Sequence, residues 1–142
     1  MKRPTFPQAN SMERILATVR VTSRRNTSIT ELSAIIGVTK RQALYYASGA
    51  EHLGLVVREG GVKATEKGRN LAATRSEKSR RVKLSDILAT LPVFKRALKA
   101  ARLGRPASRE TVATWISKHN GLSPSTAARR AATVEKWVAS AV

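Results

Sequence analysis

The sequence predicts a mainly α-helical protein of two helix-turn-helix units, the first carrying a small β-hairpin. Three observations predict it. Apolar residues recur at helical spacing through most of the chain. Each half contains two helical patches joined by a few residues around a glycine, Gly37 in one and Gly121 in the other. One stretch alone, LGLVVREGGVKAT, reads as strand, turn and strand.

In the first half, residues 11–22 place Met12, Ile15, Leu16 and Val19 at i, i+3, i+4 and i+7, an amphipathic helix. TELSAII predicts a short helix over 30–36 starting at Thr30, with Leu32, Ile35 and Ile36 inward and Gly37 closing it. Thr39 followed by Gln42 is a capping-box pattern that opens the next helix, which extends to about His52. Its apolar stripe is Ala43, Tyr46, Ala47, Ala50 and Leu53; Arg41, Tyr45, Ser48 and His52 fall to one side, with Lys40 at the tip. After the hairpin, Thr65 caps a short closing helix, TEKGRNLA.

TRSEKSRRVK, residues 74–83, is polar, basic and without periodicity, so it reads as a linker between a first domain at 10–73 and a second at 84–142. In the second domain Ser85 is expected to cap a helix with Ile87, Leu88 and Leu91 inward, and Asp86 falls at its start. Pro92 interrupts, and PVFKRALKAA restarts a helix on Val93, Phe94, Ala97 and Leu98. Gly104 and Pro106 close it, and Ser108 caps a third helix with Val112, Ala113, Trp115 and Ile116 apolar. Asn120-Gly121 ends that one. Ser123 and Pro124 then begin LSPSTAARRAATVEKW.

That last helix places Ala127, Ala131, Val134 and Val138 inward beside Trp137, and sets Ser125, Arg129, Thr133 and Lys136 on the other side. Its small residues keep it slim enough for a groove ~12 Å wide. Arg129 or Arg130 offers the planar fork that fits guanine O6 and N7. Ser125 and Thr126, near the helix start, suit phosphate oxygens.

The charge balance points the same way. The 142 residues hold 27 Lys+Arg against 9 Asp+Glu, a formal net charge of +18. Residues 1–73 hold 12 basic and 5 acidic side chains, 74–83 hold 5 and 1, and 84–142 hold 10 and 3. The excess is therefore spread, which excludes a basic tail on a neutral body and implies a polyanionic partner, nucleic acid first. The bland alternative is a solvated surface adapted to high salt or acidic lipid. The N-terminal MKRPTFPQAN has charge with no apolar segment behind it, so it reads as a basic arm and not a secretory signal. No apolar run nears the ~18 residues of a membrane span.

The stretch VTKRQALYYASGAEHLGLV…VKATEKGRNLA resembles the winged-helix modules of bacterial and archaeal regulators, above all in LGLV after the second helix and TEKGR after the hairpin. The resemblance implies that the second helix of the pair enters the major groove and the hairpin, or wing, touches the adjacent backbone. LPVFKRAL…RETVATWI…GLSPSTAARRAATVEKW resembles the second module of paired winged-helix proteins, including the recognition parts of certain bacterial restriction endonucleases. A wing follows the last helix in those relatives. Here the sequence ends at Val142, so the second wing is expected to be absent or truncated.

Chemistry for catalysis is sparse. Asp86 is the sole aspartate, no Glu has a Lys two positions on, and Gly60-Gly61 lacks the spacing of a phosphate loop. His52 and His119 are too few for a metal site, and with no cysteine there is neither a disulfide nor a thiolate zinc site. No enzyme, cofactor or metal is expected.

The expected activity is sequence-specific binding of double-stranded DNA, with transcription regulation as its role and a cytoplasmic, nucleoid-associated, prokaryotic setting. Lys40, Arg41, Gln42 and Tyr45 on the first recognition helix, and Arg58 and Lys63 beside the hairpin turn, are the candidate contacts of the first unit. Ser125, Thr126, Arg129, Arg130, Thr133 and Lys136 are those of the second. Tyr46, Trp115 and Trp137 follow buried stripes and are expected in the core. The alternatives are a non-specific architectural DNA- or RNA-binding protein, a docking module for another protein, or the recognition subunit of a restriction or defence system. A homodimer or a partner chain is compatible with each.

Overall fold

The computed structural model describes residues 11–142; the basic arm expected at 1–10 lies outside them. Among the described residues there are eight helices and one antiparallel hairpin. They fall into two compact units, 11–80 and 81–142.

The first unit opens with α1 (Met12–Arg24), whose N-cap Ser11 accepts a hydrogen bond from the Arg14 N–H. Ile15 and Val19 are fully buried, and Thr18 and Thr22 join them by returning their hydroxyls to the helix's own carbonyls, Thr18 to Arg14 at 2.9 Å and Thr22 to Thr18 at 2.8 Å. This self-pairing is how a threonine enters a core without leaving an unsatisfied donor. Leu16 stays half-buried.

Helix α2 (Ile29–Ile36) begins one residue before the expected Thr30. Its cap is Ser28, which forms a full capping box with Glu31, and Gly37 closes it in the left-handed conformation at φ 72°. Its inward face is Leu32 and Ser33; Ile35 is 53% exposed, because at about 100° per residue it falls on the far side of Leu32 from Ser33. Helix α3 (Lys40–His52) follows Thr39, whose capping box with Gln42 is present as the spacing predicts. Ala43, Ala47 and Ala50 are fully buried, a small-residue seam that lets α3 lie close to α1 and α2, while Tyr46 is only half-buried.

Strands β1 (Val56–Arg58) and β2 (Val62–Ala64) pair in the register Val56↔Ala64, Val57↔Lys63 and Arg58↔Val62. Glu59, Gly60 and Gly61 make the turn, with both glycines at positive φ. Thr27, between α1 and α2, bridges Val62 on its free edge: the Thr27 N–H donates to the Val62 carbonyl at 2.9 Å and the Val62 N–H returns the bond at 2.7 Å. Helix α4 (Glu66–Ala72) closes the unit. Its cap Thr65 accepts from the Gly68 N–H at 3.1 Å and donates to the Gly54 carbonyl at 2.7 Å.

Residues 74–83, expected as an irregular linker, are mostly helical: α5 runs Glu77–Leu88. Ser76 starts it by accepting from the Ser79 N–H at 3.3 Å. The amphipathic pattern is missing because the first half of this helix is solvated; burial begins at Leu84 and continues through Ser85, Ile87 and Leu88. Ser85 is therefore not a cap. It is 2% exposed inside α5, and its hydroxyl takes a hydrogen bond from Arg102.

In the second unit, α6 (Pro92–Arg102) starts on Pro92 in the first turn and buries Val93, Phe94, Ala97 and Leu98, the stripe that the sequence predicts. Helix α7 (Arg109–Asn120) is capped by Ser108 and closed by Gly121 at φ 68°. Helix α8 (Pro124–Ala141) is capped by Ser123. Its core face brings fully buried Trp137 onto Phe94, ring centroids 5.0 Å apart and nearly parallel. Trp115 is not fully in the core. It is half-buried, with the Arg96 guanidinium 4.2 Å above its ring.

A candidate nucleic-acid interface

In the first unit the outward face of α3 is assembled by helical geometry. Arg41, Leu44, Tyr45 and Ser48 stand at successive i+3 and i+4 steps, opposite the alanine seam. The Arg41 Nε–H donates to the Tyr45 hydroxyl at 2.8 Å, with the guanidinium 5.6 Å from the ring centre. This pairing limits how Arg41 can swing, and the residue remains exposed. Lys40 is exposed in the first turn. Gln42 is exposed too, but its side-chain oxygen accepts from the Thr39 N–H at 3.0 Å, so only its amide nitrogen is free of the capping box.

Leu44 was not among the expected contacts. It is 38% exposed at one edge of this face, where an aliphatic group can meet a thymine methyl. Its signal was in the sequence, an apolar residue three positions after Arg41, off the inward stripe.

Arg58 and Lys63 are both exposed, yet the strand register separates them. Lys63 lies across from Val57 and Arg58 across from Val62, so the two cations project from opposite faces of the hairpin. At the far end of α3, burial pushes the His52 imidazole pKa down, which disfavours its charged form.

In the second unit, α8 divides the expected residues. Ser125, Arg129 and Lys136 are exposed and share one narrow outward arc. Thr126 is half-buried; its hydroxyl accepts from Ser123 at 3.0 Å and meets an Arg129 terminal nitrogen at 3.5 Å. That contact holds the Arg129 guanidinium over the helix start.

Two expected contacts do not belong to this arc. Thr133 is 1% exposed, inside the core between Trp137 and the first turns of the helix, and cannot reach a nucleic acid. At 3.6 residues per turn Arg130 falls within the same apolar arc as Ala127, Val134 and Trp137, and it is half-buried. The adjacent arginines of the sequence are thus split, Arg129 outward and Arg130 toward the core side.

Between α7 and α8, Arg109, Thr114, Ser117, Lys118, Pro124 and Ala128 line a groove of about 580 Å³. At its edge Arg109 donates to Glu135 at 2.7 Å; this bond holds the Glu135 carboxyl below the usual carboxylate range and raises Arg109. Glu135 remains exposed next to Lys136, whose charge adds a smaller lowering of the same carboxyl.

Among the described residues no group of acidic side chains and histidines is gathered to hold a metal ion, and no helix is long and apolar enough to cross a membrane. The chain belongs to the family DUF7226, a domain of unknown function whose model matches residues 14–140. That match runs through both units and the helix that joins them. No curated protein and no solved structure matches the chain.

Proposed function

We propose that this protein binds double-stranded DNA in a sequence-specific way, using α3 and α8 as recognition helices, and that it serves in transcription regulation. In this reading the first unit is a winged helix, with the hairpin as wing, and the second is a helix-turn-helix unit formed by α7, Gly121 and α8. The protein then works in the cytoplasm on the nucleoid.

The observation that carries the reading is the outward arc of α8. A capped helix, anchored at one end by Trp137 on Phe94, presents Ser125, Arg129 and Lys136 together at its free surface. A guanidinium in such an arc fits a guanine edge, and the lysine and hydroxyl fit flanking phosphates. The paired Arg41 and Tyr45 on α3, with Leu44 beside them, are a second surface of the same kind. The net charge of +18 supplies the sequence-independent part of the affinity.

With Thr133 withdrawn into the core and Arg130 turned toward it, α8 keeps few groups for base edges, which favours a non-specific architectural reading as the rival. Selection from a random duplex pool at near-physiological salt separates the two. Recovery of a motif supports sequence reading. Equal affinity for all duplexes, with a steep salt slope, replaces it with the architectural reading, and failure to bind any duplex removes both.

A further inference from the structure

Helix α6 carries charge that the proposed recognition helices leave unused. From Ile87 through Arg109 the chain has Lys95, Arg96, Lys99, Arg102 and Arg105 before Arg109, and no acidic residue. Because Val93, Phe94, Ala97 and Leu98 turn inward, Lys95 and Lys99 stand one turn apart on the exposed side, with Arg96 next to them. Among the described residues neither lysine's ammonium group has a hydrogen bond or an ion pair. Arg96 is held in place over Trp115, so one cation of the group is positioned by packing.

The placement of this surface within the unit matters. Helices α6 and α8 meet by their apolar faces: Phe94 stacks on Trp137, and Ala97 and Ala101 of α6 lie across from Ala131, Val134 and Val138 of α8 around an apolar cavity of about 290 Å³. The charged side of α6 and the arc of Arg129 and Lys136 on α8 therefore point away from each other. A straight duplex resting on one cannot touch the other.

We propose that α6 is a second phosphate-backbone surface, separate from α8, and that one molecule thereby joins two segments of duplex DNA. The proposal rests on the reading that α8 faces DNA. It gives the second unit a linking role, which a single recognition surface does not provide.

A bead-capture assay tests it with the full chain. One duplex is immobilised and a second, labelled duplex of different sequence is offered in solution. The wild-type protein should recover the labelled duplex, and the Lys95→Glu/Lys99→Glu variant should lower recovery about tenfold or more while its Kd for a single short duplex stays within about threefold. The Lys95→Gln/Lys99→Gln variant, with unchanged helical circular dichroism, should show a smaller loss in the same direction.

Unchanged recovery in both variants overturns the proposal, as does a parallel fall of recovery and single-duplex affinity, which would make α6 part of one common surface. Absence of recovery by a wild-type chain that still binds duplex overturns this inference alone. A wild-type chain that binds no duplex takes the DNA reading with it. If anionic phosphatidylglycerol vesicles bind through Lys95 and Lys99 while duplex recovery is indifferent to them, the surface is for lipid, and the proposal fails.

Discussion

A single guanidinium carries most of the specificity argument. Arg129 is exposed and steadied at the Thr126 hydroxyl, whereas its neighbour Arg130 lies on the core side of the same helix. Arg129→Ala should cost about 1–3 kcal/mol on the preferred duplex and relax the preference at one base position, measured by titration against a panel of single-base variants. An equal loss on every sequence would reduce Arg129 to a backbone anchor. The sequence could not separate the two arginines by type. Their positions relative to Ala127, Val134 and Trp137 could have done so, since adjacent residues on a helix stand about 100° apart. The same reckoning leaves Thr133 at the border, about 40° from Trp137 on one side and about 40° from Arg129 on the other; only its burial puts it in the core, and a threonine is small and polar enough to read as either core or contact.

Titration is also decided at single residues. Burial holds the His52 pKa below its unfolded value, so the unfolded chain binds the proton more readily. Stability from this site is complete above the usual histidine range and declines as pH falls through it toward the depressed folded value. Glu135, lowered chiefly by its hydrogen bond from Arg109, contributes in the same sense further down, where carboxylates protonate. Thermal melts of His52→Gln should show a shallower loss of Tm between about pH 7 and pH 5 than the wild type. An identical slope would mean that the imidazole is as well solvated folded as unfolded.

At the scale of elements, the TEKGR stretch has a mechanical reason for its glycine. A Cβ at Gly68 would run into the carbonyl oxygen and carbon of Leu55, backbone atoms that cannot rotate away. Helix α4 packs directly on the chain leaving α3 there, and Thr65 ties the same place through the Gly54 and Leu55 carbonyls. Gly68→Ala should destabilise the first unit by about 1–3 kcal/mol in denaturant melts, despite the higher helix propensity of alanine. A stabilised variant would show that α4 shifts freely.

Helices with a stripe and a start signal, a side-chain cap or, for α6, a first-turn proline, were legible: α1, α3, α6, α7 and α8 coincide with the patterned stretches. The start of α2 was misplaced because Ser28 and Thr30 are both competent caps, and only the Ser28–Glu31 spacing distinguishes them. The N-terminal half of α5 was invisible, since a helix turn without a buried side leaves no periodicity to read. The outward positions of α3 were legible, apart from Leu44. The hairpin's two cations were identified as residues but not as belonging to opposite faces, which only the register reveals.

For the whole molecule, both tryptophans, Trp115 and Trp137, belong to the second unit, and both tyrosines, Tyr45 and Tyr46, to the first. Indole emission is thus a private reporter of the second unit, while far-ultraviolet circular dichroism sums both. Gly68→Ala should shift part of the dichroism transition and leave the emission transition in place. Trp137→Ala, which removes a fully buried ring, should move the emission of the remaining Trp115 and destabilise the second unit by about 3–5 kcal/mol. Coincident shifts in both signals would mean that the units melt as one.

Charge acts at this scale as well. If about six to ten phosphates are neutralised by the dispersed lysines and arginines, affinity should fall ~10³–10⁵-fold between about 50 and 200 mM salt. A flat dependence, followed by fluorescence anisotropy, would argue that the excess positive charge is merely solvated.

The pair of reciprocal bonds between Thr27 and Val62 has a consequence for motion. This short clasp fastens the connection between α1 and α2 to the outer edge of the hairpin, so the two cannot drift independently. Deuterium uptake should therefore be slow at the Thr27 amide although its neighbours Asn26 and Ser28 lie in a loop. Any event that peels the hairpin away, such as wedging it against a helical polymer, should speed exchange at the beginning of α2 in the same step.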